Sequence, residues 1–494
     1  MFRSPVIPWP TCRTAPATAV PQTSIPEADL PRAVVLVDGE HYPPVIVAAL
    51  AQLRDRGVDP VAALFLGGTE KVESHGTAVD LGVPATWVPR GDAAHVDVRA
   101  AADILIPLIA QYDAALVVDF SDEPVLDPRR RLQLAAHVLL TGVPYSGADF
   151  MLTPPPRPRL SRRPTIAVIG TGKRTGKTAI SGDIARRVQT LGRTPVVVAM
   201  GRGGPADPVV VPAGTPLGAA ALLEVVERGG HAASDFYEDA ITSGAATVGA
   251  RRCGGGLAGA VGYTNAPAAI AAAERLPGDL LLLEGSGASV PPAHADATVL
   301  VVPADCDPEF LQGYLGPYRV LLADLVVVTM AESPRGSPER VAAVLETIRS
   351  ISRRTPVISS VLRPVPLDQV SGERVFFATT APAAVGASLV EALEDTYGCD
   401  VVATSSRLAD RPGLRSDLYA APAFDVLLVE LKAAAVDVAT RIAAQAGARV
   451  VFCDNRPSVV GTGGDAAPAD ADAVLQEAVA GLVELAEKRA AGST

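Results

Sequence analysis

The stretch Pro164 to Gly192, PTIAVIGTGKRTGKTAISGDIARRVQTLG, constrains this chain more than any other. An apolar run, Ile166 to Ile169, precedes a Gly- and Lys-rich segment from Gly170 to Lys177. Apolar residues then recur at Ile180, Ile184, Val188 and Leu191. The run reads as a parallel strand buried on both faces, and the later spacing as one face of a helix. Strand, glycine-rich loop ending Gly-Lys-Thr, and helix are the context of a phosphate-binding loop. Glycines let successive N–H groups turn toward one anion, and the helix N-terminus adds partial positive charge. In this reading Gly170, Thr171, Gly172, Thr175 and Gly176 cradle the phosphates of ATP. Lys177 reaches the β/γ-phosphates, and the Thr178 hydroxyl ligates Mg²⁺. The spacing departs from a strict G-x-x-x-x-G-K-[ST], because position 171 holds Thr171 instead of glycine. A structural Gly-rich turn is the bland alternative.

A length of 494 residues predicts about three domains, and a hydrophobic content of 48% is ample for globular cores. Alternating β-like and α-like segments predict an α/β protein. The formal net charge of −11 argues against a nucleic-acid partner, since no basic excess is available to neutralise a phosphate backbone. Cys12, Cys253, Cys306, Cys399 and Cys453 are scattered without metal-like pairing, as in a reduced, cytoplasmic compartment. No signal peptide and no uninterrupted apolar run of about 18 residues is present, so no membrane partner is expected.

Taken in order, residues 1–30 are Pro-rich and are expected to form a disordered tail. Residues 31–150 read as a smaller, Rossmann-like α/β domain. Its strand Val34–Val37 ends at Asp38, Glu40 and His41, a second ends in Gly67 to Lys71, and a third ends at Asp119, Ser121 and Asp122. Polar residues at parallel strand ends match the ligand-binding geography of open α/β sheets, although N-caps and turns favour the same residues. Asp38, Glu40 and His41 are therefore candidate substrate contacts.

Residues 151–164 have the Pro and Arg content of a linker, and residues 165–460 read as a P-loop NTPase-type, mostly parallel sheet domain. Within it, one strand ends at Gly201-Arg202-Gly203-Gly204, and Arg251 and Arg252 lead into Gly254 to Gly256. Arginines beside exposed glycine backbone suit bidentate phosphate binding, which makes Arg202, Arg251 and Arg252 candidate substrate clamps. The strand Leu280–Leu283 ends in Glu284, the expected Mg²⁺-organising acid downstream of a phosphate loop. Residues 461–494 form a C-terminal extension with an amphipathic helix.

GTGKRTGKT followed by LLLLEGSGAS resembles the dethiobiotin-synthetase-like branch of P-loop proteins. Within that branch the chain is similar to the cyclic 2,3-diphosphoglycerate synthetase family. The likeness rests on LVDGEHYPP (Leu36 to Pro44), MGRGGP (Met200 to Pro205), GGGLAG (Gly254 to Gly259), ADLVVVTMAE (Ala323 to Glu332), LLVELKAAAVDV (Leu427 to Val438) and DNRP (Asp454 to Pro457). It implies ATP-driven formation of an intramolecular phosphoanhydride in 2,3-diphosphoglycerate, with ADP and phosphate released. It also implies that Glu284 helps Thr178 hold Mg²⁺. Lys177, Lys173, Arg174 and Glu284 are then the catalytic set, and a homodimer is compatible with the family's architecture.

Two alternatives stand beside this reading. One is an ATP-dependent kinase acting on 2-phosphoglycerate or a related small acid. The other is a nucleotide-switch ATPase that binds a partner protein. A switch protein of this branch expects a lysine where this chain has Gly172, and an aspartate where it has Met200-Gly201-Arg202.

Overall fold

The computed structural model describes residues 30–67, 80–89, 95–432, 435–463 and 470–492. All but the last residue of the expected tail, together with Gly68 to Lys71, lie outside these.

The first sheet contains β1 (Arg32–Val37), β2 (Asp59–Phe65), β3 (Ala85–Trp87), β4 (Leu116–Asp119), β5 (Tyr145–Ser146) and β6 (Met151–Leu152), in the order β3-β2-β1-β4-β5-β6. Only the β5/β6 pair is antiparallel. Alternate residues of β1 enter two cores. Val35 and Val37 meet Ile46 and Leu50 of one helix, while Val34 and Leu36 meet Leu105 and Leu134 on the other face. The chain leaves β1 toward β2 and β3 and returns to β4 on the opposite side. The crevice beyond β1 and β4 is therefore a topological switch point.

The second sheet contains β7 (Thr165–Gly170), β8 (Pro195–Gly201), β9 (Val209–Val211), β10 (Ala246–Cys253), β11 (Tyr263–Thr264), β12 (Leu280–Glu284), β13 (Ala297–Pro303), β14 (Leu325–Thr329), β15 (Val357–Pro366), β16 (Arg374–Ala378), β17 (Asp400–Ser405), β18 (Val426–Glu430) and β19 (Arg449–Thr462). Its order is β11-β10-β8-β12-β7-β13-β14-β15-β19-β18-β16-β17, with β9 also on β10. The pattern is a mostly parallel α/β sheet of P-loop type. Ile166 and Val168 of β7 pack on Ile180, Ile184 and Val188 of the helix that follows the glycine loop. The same core takes Leu475, Val479 and Leu482 of the helix Ala471–Ala491, so the C-terminal amphipathic helix covers the P-loop sheet.

An antiparallel ribbon of β15 and β19 joins two parallel blocks. β14 pairs only with the start of β15, at Val357 to Ser359, whereas β18 pairs with the start of β19, at Arg449 to Cys453. Cys453 lies opposite Pro366, at the far end of β15. The second block is thereby displaced along the ribbon and runs the opposite way. The carboxyl ends of β16 and β18 consequently face those of β7 and β14, and a cleft opens between them.

The Pro/Arg-rich connection is strapped to the second sheet instead of hanging free. Arg159 reaches Asp296 at 2.8 Å, and Arg163 donates to the carbonyls of Ala273, Glu274 and Leu276. The first domain docks through the helix Pro128–Leu140, whose core takes in Leu315 and Tyr318 from the second. No helix among the described residues is long and apolar enough to cross a membrane.

Candidate active site

The glycine loop caps β7 as the sequence pattern requires. Thr329 Oγ donates to the Thr175 carbonyl at 2.7 Å, which ties the loop to β14. Lys177 folds back so that its Nζ donates to the Gly172 carbonyl at 3.0 Å. Gly170 makes room for this, because a Cβ there would stand 2.9 Å from Lys177 Cδ. Burial lowers the Lys177 ammonium pKa, an effect that Glu284 opposes. The Thr175 hydroxyl is buried without a protein partner, which leaves a donor for a ligand. Thr171 stands apart and lines a neighbouring cavity with Gly256, Leu257 and Arg319.

Acids gather beneath the loop. Thr178 Oγ donates to Glu284 Oε1 at 2.8 Å. Glu284 Oε2 and both carboxylate oxygens of Asp239 are buried without a hydrogen-bond donor. Burial pushes Glu284 up to about 7, with Asp235 adding to the shift, and raises Asp239 well above the usual carboxylate range. Charge on Glu284 adds to the rise at Asp239, since two neighbouring buried carboxyls cannot both ionise cheaply. Glu238 is pushed up to about 8, by burial first, although Lys432 opposes the shift.

Lys432 arrives from the opposing block, just beyond β18, and its Nζ lies 3.1 Å from Glu238. Burial works against its charge, but Glu238 and Glu430 outweigh that and raise its pKa. The sequence pattern assigned no role to Lys432, Asp239 or Glu238. The hint available was a lysine directly beyond an apolar strand, in LLVELK.

Among the described residues no group of three or more His, Cys, Asp and Glu side chains is arranged to hold a metal. The unpartnered Glu284 oxygen beside the Thr178 hydroxyl nonetheless fits Mg²⁺, which usually takes one or two protein ligands and completes its shell with phosphate and water.

The cleft encloses about 470 Å³ and is lined by Lys173, Arg174, Lys177, Arg202, Glu284 and Lys432, among others. Lys173, Arg174 and Arg202 are exposed there, without hydrogen bonds or ion pairs to other described residues. Of the three expected clamp arginines, only Arg202 is available in this way. Arg252 is buried, donating to the Ser286 and Gly254 carbonyls. Arg251 turns aside to the Pro205 carbonyl at 2.7 Å. Gly287, with a φ of 59°, lets Arg202 and Arg252 approach together: a Cβ there would lie 2.8 Å and 2.9 Å from their guanidinium nitrogens.

Asp38, Glu40 and His41 do not line this cleft. Asp38 and its neighbours belong to the switch point of the first sheet, where His41 faces a separate cavity of about 310 Å³. Asp38 is fully buried and accepts from the Glu40, His41 and Asp122 amides and from His41 Nδ1 at 2.7 Å. Asp119 beside it is held by Ser121, Arg131 and Tyr145. These carboxylates already have full partner sets, which accounts for their placement better than contact with an anion does.

A glycine loop over a buried lysine, with an acid-lined cleft at parallel strand ends, defines a P-loop nucleotide-binding enzyme. Residues 165–361 match the P-loop domain of cyclic 2,3-diphosphoglycerate synthetase, residues 366–456 its C-terminal domain and residues 32–153 its N-terminal domain. The synthetase of Rubrobacter xylanophilus is 46% identical over 88% of this chain and 96% of its own length. That of Methanothermus fervidus is 43% identical over 87% of this chain and 93% of its own length. The chain belongs to the cyclic 2,3-diphosphoglycerate synthetase family. It is an enzyme of the ATP-dependent ligase class.

Proposed function

We propose that the chain uses ATP to close 2,3-diphosphoglycerate into its cyclic phosphoanhydride in the cytoplasm, releasing ADP and phosphate. The observation that carries this reading is the cleft's composition. A buried P-loop lysine and the unpartnered Arg202 converge on a space that the opposing block closes with Lys432.

The chemistry proceeds in two displacements. An oxygen of one substrate phosphate attacks the γ-phosphorus, and the bond from that phosphorus to ADP breaks. An oxygen of the neighbouring substrate phosphate then attacks the activated one and expels inorganic phosphate. Every partner is an anion, so the protein contributes alignment and positive charge more than a nucleophile. Lys177, Lys173 and Arg174 neutralise charge along the nucleotide, while Arg202 and Lys432 hold the substrate phosphates. Arg252 supports Arg202 by fixing the Ser286–Gly287 turn. Mg²⁺, held by Thr178 and Glu284, would supply charge neutralisation at the nucleotide phosphates.

Phosphorus NMR on a reaction with ATP, Mg²⁺ and 2,3-diphosphoglycerate tests the reading. Anhydride signals should replace the monoester signals, with one phosphate released per ADP. ADP without free phosphate would mean a kinase, and free phosphate with intact monoesters would mean hydrolysis.

A further inference from the structure

The turn Ser286 to Ala288, beyond β12, is gripped at both ends by arginines, and the cleft chemistry accounts for only one of them. Arg252 holds the Ser286 carbonyl at 2.7 Å. Arg319, from the helix Gly316–Leu322, donates twice to the Ala288 carbonyl, through Nε at 2.9 Å and Nη2 at 2.7 Å. Its third bond, at 3.1 Å, goes to the Leu257 carbonyl in the glycine-rich loop beyond β10. We propose that Arg319 is a positioning residue for Arg202, the arginine that faces the substrate phosphates. The inference rests on the proposed role of Arg202 and adds what keeps that side chain in place.

The two arginines are linked through one glycine. Arg202 has no hydrogen-bond or ion-pair partner among the described residues, and it rests on Gly287, where a Cβ would stand 2.8 Å from its guanidinium. Gly287 lies between the two gripped carbonyls, so the place of Arg202 follows the place of this turn. The turn leaves β12 from a fixed point, since the Gly285 amide donates to the Val168 carbonyl of β7 at 2.8 Å. Beyond Gly287, Arg319 supplies the side-chain grip. The GGGLAG segment makes room for it: Gly259 has a φ of 93°, and a Cβ there would lie 3.0 Å from the Ala288 oxygen and 3.2 Å from Arg319 Nη2.

The clamp is itself anchored. Leu315 and Tyr318, on either side of the helix start, are each 2% exposed and belong to the core of the first domain. Tyr314 and Leu315 take φ values of 48° and 65°, a conformation that ordinary residues keep only where packing holds them. Arg319 therefore grips the turn from a helix that the first domain fixes.

Stability alone does not call for an arginine here. Arg319 is 8% exposed, and no carboxylate among the described residues pairs with it. Burial pushes its pKa down to about 10, with Tyr318 opposing. A buried cation without a counter-ion is destabilising, and an apolar side chain of like length would fill the space at less cost. Ala288 and Leu257 border a cavity of about 580 Å³ that Arg319 also lines, so water can serve their carbonyls instead. What water cannot do is fix the turn. A loose turn would leave Arg202 to be ordered at the moment the substrate binds, and that entropy opposes binding.

Arg319→Met tests this, because it keeps the length of the side chain and removes the donors. The KM for 2,3-diphosphoglycerate should rise about five- to twentyfold, with kcat lowered by less than about threefold. The dissociation constant for ATP should stay within about twofold, since the glycine loop is untouched. In an Arg202→Ala background the same change should move the KM by less than about twofold, because the side chain it positions is gone. Arg319→Lys keeps the charge but loses the fork that spans two carbonyls, so it should rescue only in part. A purely structural arginine would lower the denaturant midpoint and leave the KM alone, and that result would overturn the inference. Full rescue by lysine, an equal rise in KM in the Arg202→Ala background, or matching losses of ATP and substrate affinity would overturn it too. If Arg202→Ala raises the KM and Arg319→Met does not, the inference falls and the role of Arg202 stands. If Arg202→Ala itself leaves the KM unmoved, the role of Arg202 falls first and takes the inference with it.

Discussion

Two strand-end clefts of this molecule share their geography and differ in how their charges are balanced. In the N-terminal cavity, Asp38 and Asp119 are saturated by amides, Ser121, His41, Arg131 and Tyr145. In the P-loop cleft, Glu284 and Asp239 keep unpartnered buried oxygens, while Arg202, Lys173 and Arg174 face open space. A buried polar group without a partner costs free energy, and a native fold retains one where a ligand supplies what is missing. Position at a strand's carboxyl end is thus a weak guide to function. Uncompensated polarity at that position is a stronger one.

The largest test removes the loop lysine. Lys177→Ala takes a cation from the nucleotide phosphates and leaves Glu284 facing Asp235 and Asp239 without it. ADP release in the steady state should fall by about 10²–10³-fold. A loss smaller than about tenfold would remove the P-loop cleft from the reaction.

Next comes the lysine supplied across the cleft. Lys432→Met should lower kcat by about 10–100-fold with a smaller change in the ATP KM, because the substrate phosphates it holds carry developing charge in both displacements. Lys432→Arg should rescue only in part. If only the KM values moved, Lys432 would be a ground-state contact.

A moderate effect concerns pH. Glu284 and Glu238, pushed up to about 7 and about 8, bind protons in the ligand-free fold that the unfolded chain has released. For acids with a raised folded pKa, the native state holds more protons, so stability falls as pH rises from about 4.5 toward 8. Glu284→Gln should flatten that decline when the thermal midpoint of the ligand-free protein is followed from pH 5 to 8. Parallel slopes in the two proteins would mean that the acid pair is not the source. In the unmodified enzyme, kcat/KM should rise through about pH 7 as Glu284 gives up its proton.

The architecture was legible because its signals are local. An apolar run, a glycine loop and a helix with buried Ile180, Ile184 and Val188 lie within one stretch of chain, and Glu284 closes a short apolar strand. Thr178 and Glu284 meet because β7 and β12 are parallel neighbours, a pairing that the alternation of elements already favours. Lys432 and Thr380 could not be read in the same way. They reach the cleft only through the offset register of the β15/β19 ribbon, which reverses a whole block and presents its strand ends to the loop. No residue pattern carries that offset. The Arg251-Arg252 pair shows a different limit. Arginine beside glycine suits a phosphate or a backbone carbonyl equally, and both side chains here chose carbonyls.

The smallest catalytic effect is expected where the comparison began. Asp38 is a buried carboxylate whose acceptor sites are occupied by three amides and an imidazole, so its work is to hold the Gly39–His41 and Asp122 loops in place. Asp38→Asn keeps the shape but removes the charge and turns one accepting oxygen into a donor facing donors. That should cost about 1–3 kcal/mol of stability, measured as a shift in the denaturant midpoint at unchanged slope. Turnover and the KM for 2,3-diphosphoglycerate should stay within about twofold, provided the assay runs well below the lowered melting temperature. His41→Ala should behave alike with a smaller stability loss, because His41 keeps 34% of its side chain exposed. A rise in the substrate KM with stability unchanged would reverse the assignment. The first sheet's cavity would then be part of the reaction site, and saturation of its carboxylates would have misled as a sign of a purely structural role.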